Sequence, residues 1–266
     1  MTRHITRQRG FALLIVLWTL AILALFGTHL QEVARLDTQR ARNLLDAAEL
    51  ESAADGAVQQ AIYSVLDGSS QHWNADNTTH LIKVGDTLVA VRVESESDKV
   101  NPNVASVELL RALLMQVGID ATTAATVAAS IAEWRGGVPA SVRAARARYV
   151  AAGLDYAPDG EEFTHMEELG AVLGVTPEML ARLRPHLTLF TDADPGAISA
   201  DPVVAQALAE AGQVGDAADT GDANILSLTA NAYGAGPARF RIHAVVRVSA
   251  RVTGRRYDVL AYDRHQ

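Results

Sequence analysis

The chain of 266 residues contains no cysteine. This absence excludes a disulfide framework and any metal site built from thiolates. It is compatible with a periplasmic protein and equally with a cytosolic one. The formal net charge is −8, and loss of the three arginines in the first ten residues would make it −11. Such an acidic chain is poorly suited to bind nucleic acid or anionic lipid headgroups.

Charge is also missing from one long stretch, because no Asp, Glu, Lys or Arg lies between Phe11 and Gln31. A helix needs roughly 20 apolar residues to cross the hydrocarbon core of a bilayer. The residues before this stretch are basic and contain no acid, which by the positive-inside rule leaves the N-terminus in the cytoplasm. The sequence therefore predicts one membrane span at residues 11–30, with the rest of the chain facing outward.

Patterns typical of enzymes are absent as well. The sequence has no His-Glu-x-x-His spacing, and Ser130 and Ser227 do not lie in a nucleophile elbow. His165 and His186 are interpreted as polar surface residues of short helices.

Two turns, at Gly118 and Gly174, resemble helix-hairpin-helix units, which bind DNA phosphates through backbone amides. Such units need nearby Lys or Arg. The acids Asp120 and Glu178 stand there instead, so we do not favour DNA binding.

No proline interrupts residues 11–66. From Glu32 onward, apolar residues recur at a spacing of three to four among charged ones, which predicts a helix with one buried stripe. We expect one continuous helix, with its first half in lipid and its second half on a globular head. The stripe is rich in alanine and is not strictly heptad, which disfavours a coiled coil.

Alternating apolar and β-branched residues predict strands that form one antiparallel sheet on this helix. The strands are expected at residues 80–84, 87–96, 239–252 and 257–262, with a hairpin turn at Gly85-Asp86 and a loop over residues 221–237. Between the strands, residues 101–212 show the Ala-rich composition and caps of short helices. Thr164 begins a capping box with Glu167, and Thr176-Pro177 and Asp201-Pro202 begin further helices. The predicted fold class is α+β: a long N-terminal helix packed on an antiparallel sheet, with a large inserted all-α domain.

The basic leader ending in Gly10, followed by Phe11-Ala12-Leu13-Leu14, resembles the signal of type IV pilins and type II secretion pseudopilins. The resemblance implies that a prepilin peptidase cleaves between Gly10 and Phe11 and that Phe11 becomes N-methylated. An uncleaved signal anchor is the plainer alternative. Most pilins carry Glu at the fifth mature position, where this chain has Ile15. A subunit without that carboxylate cannot neutralise the buried amine of a subunit above it, which favours a place at the tip.

Later segments, in the same order along the chain, resemble the general secretion pathway protein K family of minor pseudopilins. They are Lys99-Val100-Asn101-Pro102-Asn103-Val104-Ala105-Ser106, Ile131-Ala132-Glu133-Trp134, the Glu168-Leu169 helix with its Gly174 turn, and Leu183-Arg184-Pro185-His186-Leu187. The chain departs from the family pattern at Arg135, where acidic residues often follow the tryptophan.

The resemblance implies a leader at residues 1–10 and a membrane half-helix at 11–30. The pilin-like head would comprise residues 31–98 and 216–266, interrupted by an α-helical domain at 99–215. The expected location is the inner membrane, single-pass, with a periplasmic head.

The implied function is non-enzymatic. The protein would form or cap the tip of the type II secretion pseudopilus and help to start its assembly. The implied partners are I-type and J-type minor pseudopilins in a heterotrimeric tip complex, the major pseudopilin, the prepilin peptidase and the inner-membrane assembly platform, with no nucleic acid. The alternatives are a minor pilin of a type IV or DNA-uptake pilus and an enzyme on a signal anchor.

Aspartates cluster in the segments expected to be loops outside the membrane, where their carboxylates suit calcium. They are Asp192, Asp194, Asp216, Asp219 and Asp222. They do not follow the order of an EF-hand, and some pseudopilin heads bind calcium. The sequence therefore predicts no required cofactor, with calcium as the candidate metal.

Overall fold

The computed structural model describes residues 9–136, 139–195, 199–212, 223–234, 238–249 and 256–265. Its first element is helix α1, Arg9–Leu66, which is 58 residues long. Two strands follow, β1 (Asp76–Val84) and β2 (Thr87–Ser95). The last three strands are β3 (Ala223–Tyr233), β4 (Arg239–Ser249) and β5 (Tyr257–His265).

Helices lie between β2 and β3. The α-helices are α2 (Val107–Gln116), α3 (Ala121–Trp134), α4 (Pro139–Ala151), α5 (Pro177–Leu183) and α6 (Pro202–Glu210). Short 3₁₀ helices cover Glu96–Asp98, Met166–Ala171 and Arg184–His186. The mixture of helices with an antiparallel sheet, predicted from the sequence, is confirmed.

The strands form one antiparallel sheet in the order β1-β2-β3-β4-β5. The β1–β2 hairpin turns at Gly85, whose φ of +59° suits glycine. The second half of α1 packs on one face of the sheet through Leu50, Ala53, Ala57, Val58 and Ala61. Polar contacts add to this packing, since the Tyr262 hydroxyl donates to Asp55 and the Arg264 guanidinium lies 3.1 Å from Glu51.

The prediction of a loop over residues 221–237 was wrong, because Ala223–Tyr233 forms β3, the middle strand of the sheet. Its inward residues Leu228, Ala230 and Ala232 are fully buried against the core with α1. Alanine and asparagine have low strand propensity. The strand is therefore stabilised by its pairing with β2 and β4 and by close packing against the alanines of α1.

The helices between β2 and β3 have a core of their own. It contains Leu109 and Leu113 of α2, Val127 of α3 and Leu208 of α6. Side-chain caps fix where these helices begin: Ser106, Asp120, Thr176 and Asp201 each accept from backbone N–H groups. The helix starts predicted at Thr176-Pro177 and Asp201-Pro202 are confirmed.

The predicted capping box at Thr164 is displaced by one residue. The helix that follows is a 3₁₀ helix beginning after His165, and the backbone N–H of His165 donates to Glu168 Oε1 at 3.2 Å. The Thr164 hydroxyl donates to the same carboxylate at 2.7 Å. Glu167, the predicted partner, is drawn away by Arg184, whose Nη2 lies 2.7 Å from its Oε1.

No helix in the described part of the chain is long and apolar enough to cross a membrane. The span at residues 11–30 therefore stays a prediction. The side chains of residues 12 and 26–30, which belong to it, lie outside those that the structure describes.

Candidate functional site: the exposed helix and the sheet junction

The described side chains near the start of α1, residues 11 and 13–25, are mostly apolar yet exposed. Phe11 is 69 % exposed and Ile15 is 49 % exposed. Other exposed apolar residues there are Leu13, Leu14, Val16, Leu17, Trp18, Leu20, Ile22, Leu23 and Leu25. The first residue of α1 in the head core is Leu50, so about 60 Å of helix precedes the head at 1.5 Å per residue. A continuous apolar surface of this kind marks a site for lipid or for other protein helices.

The predicted cleavage pair, Gly10 and Phe11, lies in the first turn of this helix. Ile15 follows one turn later and points into the same exposed apolar surface. Cleavage, methylation and the role of Ile15 stay predictions.

The chain leaves the sheet at a buried charge cluster. The Lys99 ammonium lies 2.6 Å from Glu96 and 3.3 Å from Glu94. Burial acts to lower the pKa of Lys99, but the two carboxylates outweigh it, so the pKa is raised above its usual value. Lys99 therefore stays charged and joins the end of β2 to the start of the helical region.

The asparagines after Lys99 bind distant loops. Asn101 Nδ2 donates to the Thr191 carbonyl at 2.5 Å. Asn103 pairs with Phe163 in both directions, since its Nδ2 donates to the Phe163 carbonyl at 2.9 Å and its Oδ1 accepts from the Phe163 N–H at 2.8 Å. Together with the Ser106 cap on α2, these contacts show why the Lys-x-Asn-x-Asn pattern is specific. Each of its residue types forms a bond that another side chain would not form in the same geometry.

Arg135, which the sequence marked only as a departure, serves as a link between loops. Its guanidinium donates to the carbonyls of Pro102 and Ala105 just before α2. Burial lowers the pKa of Arg135, while Asp194 and Glu162 act in the opposite direction. A fork of N–H donors can hold two carbonyl groups at once, which lysine cannot do in the same geometry.

A cleft of about 420 Å³ separates the sheet from the helices. It is lined by Arg92 and Glu94 from β2 and by His186 and Asp201 from the helical region. His186, which the sequence predicts as a surface residue, is half-buried, and its Nδ1 lies 2.5 Å from Oδ2 of Asp201, the cap of α6. This bond ties the 3₁₀ turn after α5 to the first turn of α6.

The predicted calcium ligands are only partly described. Asp216, Asp219 and Asp222 lie outside the described residues. Asp192 is exposed, and Asp194 is half-buried within the electrostatic reach of Arg135. Two carboxylates suit a hard cation by their chemistry but are too few to hold one. Among the described residues, no group of three or more His, Asp or Glu side chains could bind a metal.

The sheet face turned away from α1 was not predicted from the sequence. With β3 taken for a loop, Tyr233, Arg239 and Arg241 could not be aligned with Lys83 and Leu88. The alternation around Ile225, Leu226 and Leu228 is the signal that could have shown the strand.

The fold is similar to that of a chain in the crystal structure of the GspK-GspI-GspJ complex from the enterotoxigenic Escherichia coli type 2 secretion system. The match has a TM-score of 0.60 and 14 % sequence identity, and it covers 86 % of this chain and 99 % of that one. At this identity the match establishes the fold. No curated protein sequence matches the chain.

A family model described as type II secretion system, protein K, matches residues 87–192. This range begins with β2 and includes Lys99, the two asparagines, Trp134 and Leu187. Fold and matched sequence together define a minor pseudopilin, a structural component of a protein-secretion machine. Residues 87–192 thus carry the sequence pattern of protein K of the type II secretion system.

Proposed function

We propose that this minor pseudopilin forms or caps the tip of the periplasmic pseudopilus and helps to start its assembly. The observation that carries the proposal is the exposed apolar half of α1, which continues as one helix into the head. In the inner membrane this half-helix, residues 11–30, would serve as a single-pass anchor with a cytoplasmic N-terminus. In the filament it would pack against the helices of neighbouring subunits.

Two features support a place at the tip. Ile15 offers no carboxylate to the N-terminal amine of a subunit above, and an unpaired charge among apolar helices is costly. The helical region, which we assign to residues 99–215, adds bulk to a pilin-like head made of residues 31–98 and 216–266. Such bulk would obstruct a further subunit on that side.

The proposed partners are the I-type and J-type minor pseudopilins. GspI and GspJ occur with GspK in the solved complex that this chain resembles. The major pseudopilin, the prepilin peptidase and the inner-membrane assembly platform complete the set. Calcium, a candidate ligand of the five aspartates, stays a proposal and is tested below.

The intact mass of the membrane-extracted protein tests the membrane and processing part of the proposal. It should be measured in cells with and without the prepilin peptidase. We expect a chain beginning at N-methylated Phe11 only when the peptidase is present. If the chain kept residues 1–10 in both strains, the helix would be an uncleaved membrane anchor. The proposed assembly role would then be refuted.

The Ile15→Glu variant tests the tip. Under the charge-pairing account it should enter the filament shaft, where the wild-type protein is absent, as measured by quantitative mass spectrometry of sheared filaments. Ile15→Val is the matched control, because it keeps an apolar β-branched side chain. Unchanged shaft content and unchanged secretion for Ile15→Glu would contradict the account. Co-purification with secretion-type rather than competence-type partners separates this function from that of a minor pilin in a DNA-uptake pilus.

A further inference from the structure

The sheet face turned away from α1 carries basic and apolar side chains at one end. Lys83, Leu88, Tyr233 and Arg239 pair in register across β1, β2, β3 and β4. The next row contains Leu81 and Arg241. Their chain neighbours Ile82, Val89, Ala232, Phe240 and Ile242 are buried in the core with α1, so these six side chains project to the opposite side. We call these six residues the sheet patch.

The apolar members of the sheet patch are unusually open. Leu81 is 67 % exposed, Leu88 is 46 % exposed and Tyr233 is 44 % exposed. Leu88 lies directly opposite Tyr233 in the ladder, so the two form a continuous surface. Exposed apolar groups that adjoin one another, rimmed by polar ones, mark interaction sites more often than scattered ones do.

Two of the three basic members of the patch, Arg239 and Arg241, are held by neighbouring side chains. The Arg239 guanidinium lies 5.8 Å from the centre of the Tyr233 ring, within the range of a cation–π contact. Arg241 Nε donates to Asn231 Oδ1 at 2.8 Å. Side chains that are already ordered lose less entropy when a ligand binds.

The charge of the sheet patch opposes that of the protein. Lys83, Arg239 and Arg241 give three positive charges on a chain whose net charge is −8. The acids nearest in register are Asp86, in the β1–β2 turn, and Asp263, one row along the sheet. A basic patch attracts acidic groups on a partner, whereas two copies of a chain with a net charge of −8 repel each other overall.

Position along α1 argues against lipid headgroups as the occupant. A Cβ atom at Gly234, directly after β3, would lie 3.4 Å from the Leu50 side chain, so this end of the sheet is level with Leu50. Residue 50 is 20 residues beyond the predicted membrane segment, which is about 30 Å of helix. Electrostatic attraction between exposed groups is screened over about 10 Å.

We propose that the sheet patch binds an acidic protein segment, with carboxylates beside an apolar side chain, on a neighbouring subunit of a different kind. That the partner is a subunit of the same filament rests on the proposed function. The patch spans about 15 Å across four strands and two rows, which is too small for a stable interface alone. The sheet patch therefore selects and orients a neighbouring subunit, while the longer apolar surface of α1 supplies most of the binding.

A photo-crosslinking residue at Leu88 of the full chain, in cells with the complete secretion system, tests the proposal. The same residue at Val259 is the matched control, because Val259 is 49 % exposed on β5, outside the patch. We expect a protein adduct from Leu88 and not from Val259. The crosslinked partner peptide should contain more Asp and Glu than Lys and Arg.

The triple variant Lys83→Gln, Arg239→Gln, Arg241→Gln should lower the yield of this adduct about tenfold. Arg146→Gln, an exposed substitution on α4, should leave the yield unchanged. The melting temperature of each variant shows whether it is folded. An adduct with lipid, with a second copy of this chain or with a neutral or basic segment would overturn the proposal. So would a yield that does not depend on the three charges in a folded variant.

A crosslinker at Leu44, which is exposed on α1, separates this inference from the function beneath it. Adducts from Leu44 to other pseudopilins with none from Leu88 would refute the sheet patch alone. If Leu44 also gave no pseudopilin adduct, the assembly role and the patch would both be refuted.

Discussion

The Lys99 ammonium lies 2.6 Å from a carboxylate oxygen of Glu96, a residue that is only 3 % exposed. A charge this deeply buried depends on its partner, because the protein interior solvates an isolated carboxylate poorly. Glu96 begins the 3₁₀ helix after β2, and Lys99 lies just past its end. The pair therefore holds the chain where it turns from sheet to helices.

Lys99→Met should destabilise the protein by about 3 kcal/mol, because it leaves the buried Glu96 carboxylate without its closest cation. Urea unfolding of the full chain in detergent measures the change in free energy. The double variant Lys99→Met, Glu96→Gln should recover part of the loss, since it removes the orphaned charge. A loss below about 1 kcal/mol in the single variant would mean that the pair is solvated like a surface ion pair.

His243 should make stability depend on pH. Its burial on β4 lowers the pKa of the imidazole, while Glu96 acts in the opposite direction. The folded state therefore favours neutral histidine, whereas the unfolded chain binds a proton below its ordinary pKa of about 6.5. Stability is fully present above that value and falls as the pH drops through it.

His243→Gln should remove part of this fall between pH 7 and pH 5, measured as the melting temperature at each pH. His265→Gln, on the exposed end of β5, is the control and should keep the wild-type profile. If the wild-type and His243→Gln profiles were parallel, His243 would not be the group responsible.

Arg135→Ala should destabilise the helical region by about 2 kcal/mol or more, because it removes two hydrogen bonds from a charged donor to the carbonyls of Pro102 and Ala105. Arg135→Lys should recover only part of the loss, since an ammonium cannot reproduce the guanidinium fork. Hydrogen exchange of the α2 amides provides the local measurement. Arg146→Ala, on the exposed face of α4, is the matched control.

Calcium binding at the predicted aspartates should stabilise the folded state, because a ligand that binds only that state raises the melting temperature. Chelation of calcium should therefore lower the melting temperature of the full chain by a few degrees, and added calcium should restore it. Magnesium should not, since it demands a stricter octahedral geometry. If chelation left the melting temperature unchanged, the predicted calcium site would be refuted.

Local sequence signals were sufficient to predict elements whose conformation is fixed by neighbouring residues. The Gly85 turn, the caps at Thr176 and Asp201 and the strand at Thr87–Ser95 all depend on residues a few positions apart. These elements appear where the sequence predicts them, within a few residues at their ends.

The signals failed where distant contacts decide the structure. β3 exists because Ala230 and Ala232 meet the alanines of α1, almost 180 residues earlier in the chain. Arg135 could not be assigned a role, because its partners Pro102 and Ala105 are fixed by the packing of α2 against α3. Likewise, Glu168 and not Glu167 completes the capping box, because Glu167 forms an ion pair with Arg184 from another turn of the chain.

The pairing of β2 with β3 joins Ser95 to Leu226 across the whole helical region. During synthesis the β1–β2 hairpin is complete well before β3. The edge of β2 that pairs with β3 therefore stays unpaired until more than a hundred further residues have been added. Contacts between residues so far apart form slowly, and an unpaired strand edge invites pairing with other chains. The protein should therefore depend on chaperones while it folds more than a pilin whose sheet strands follow one another directly.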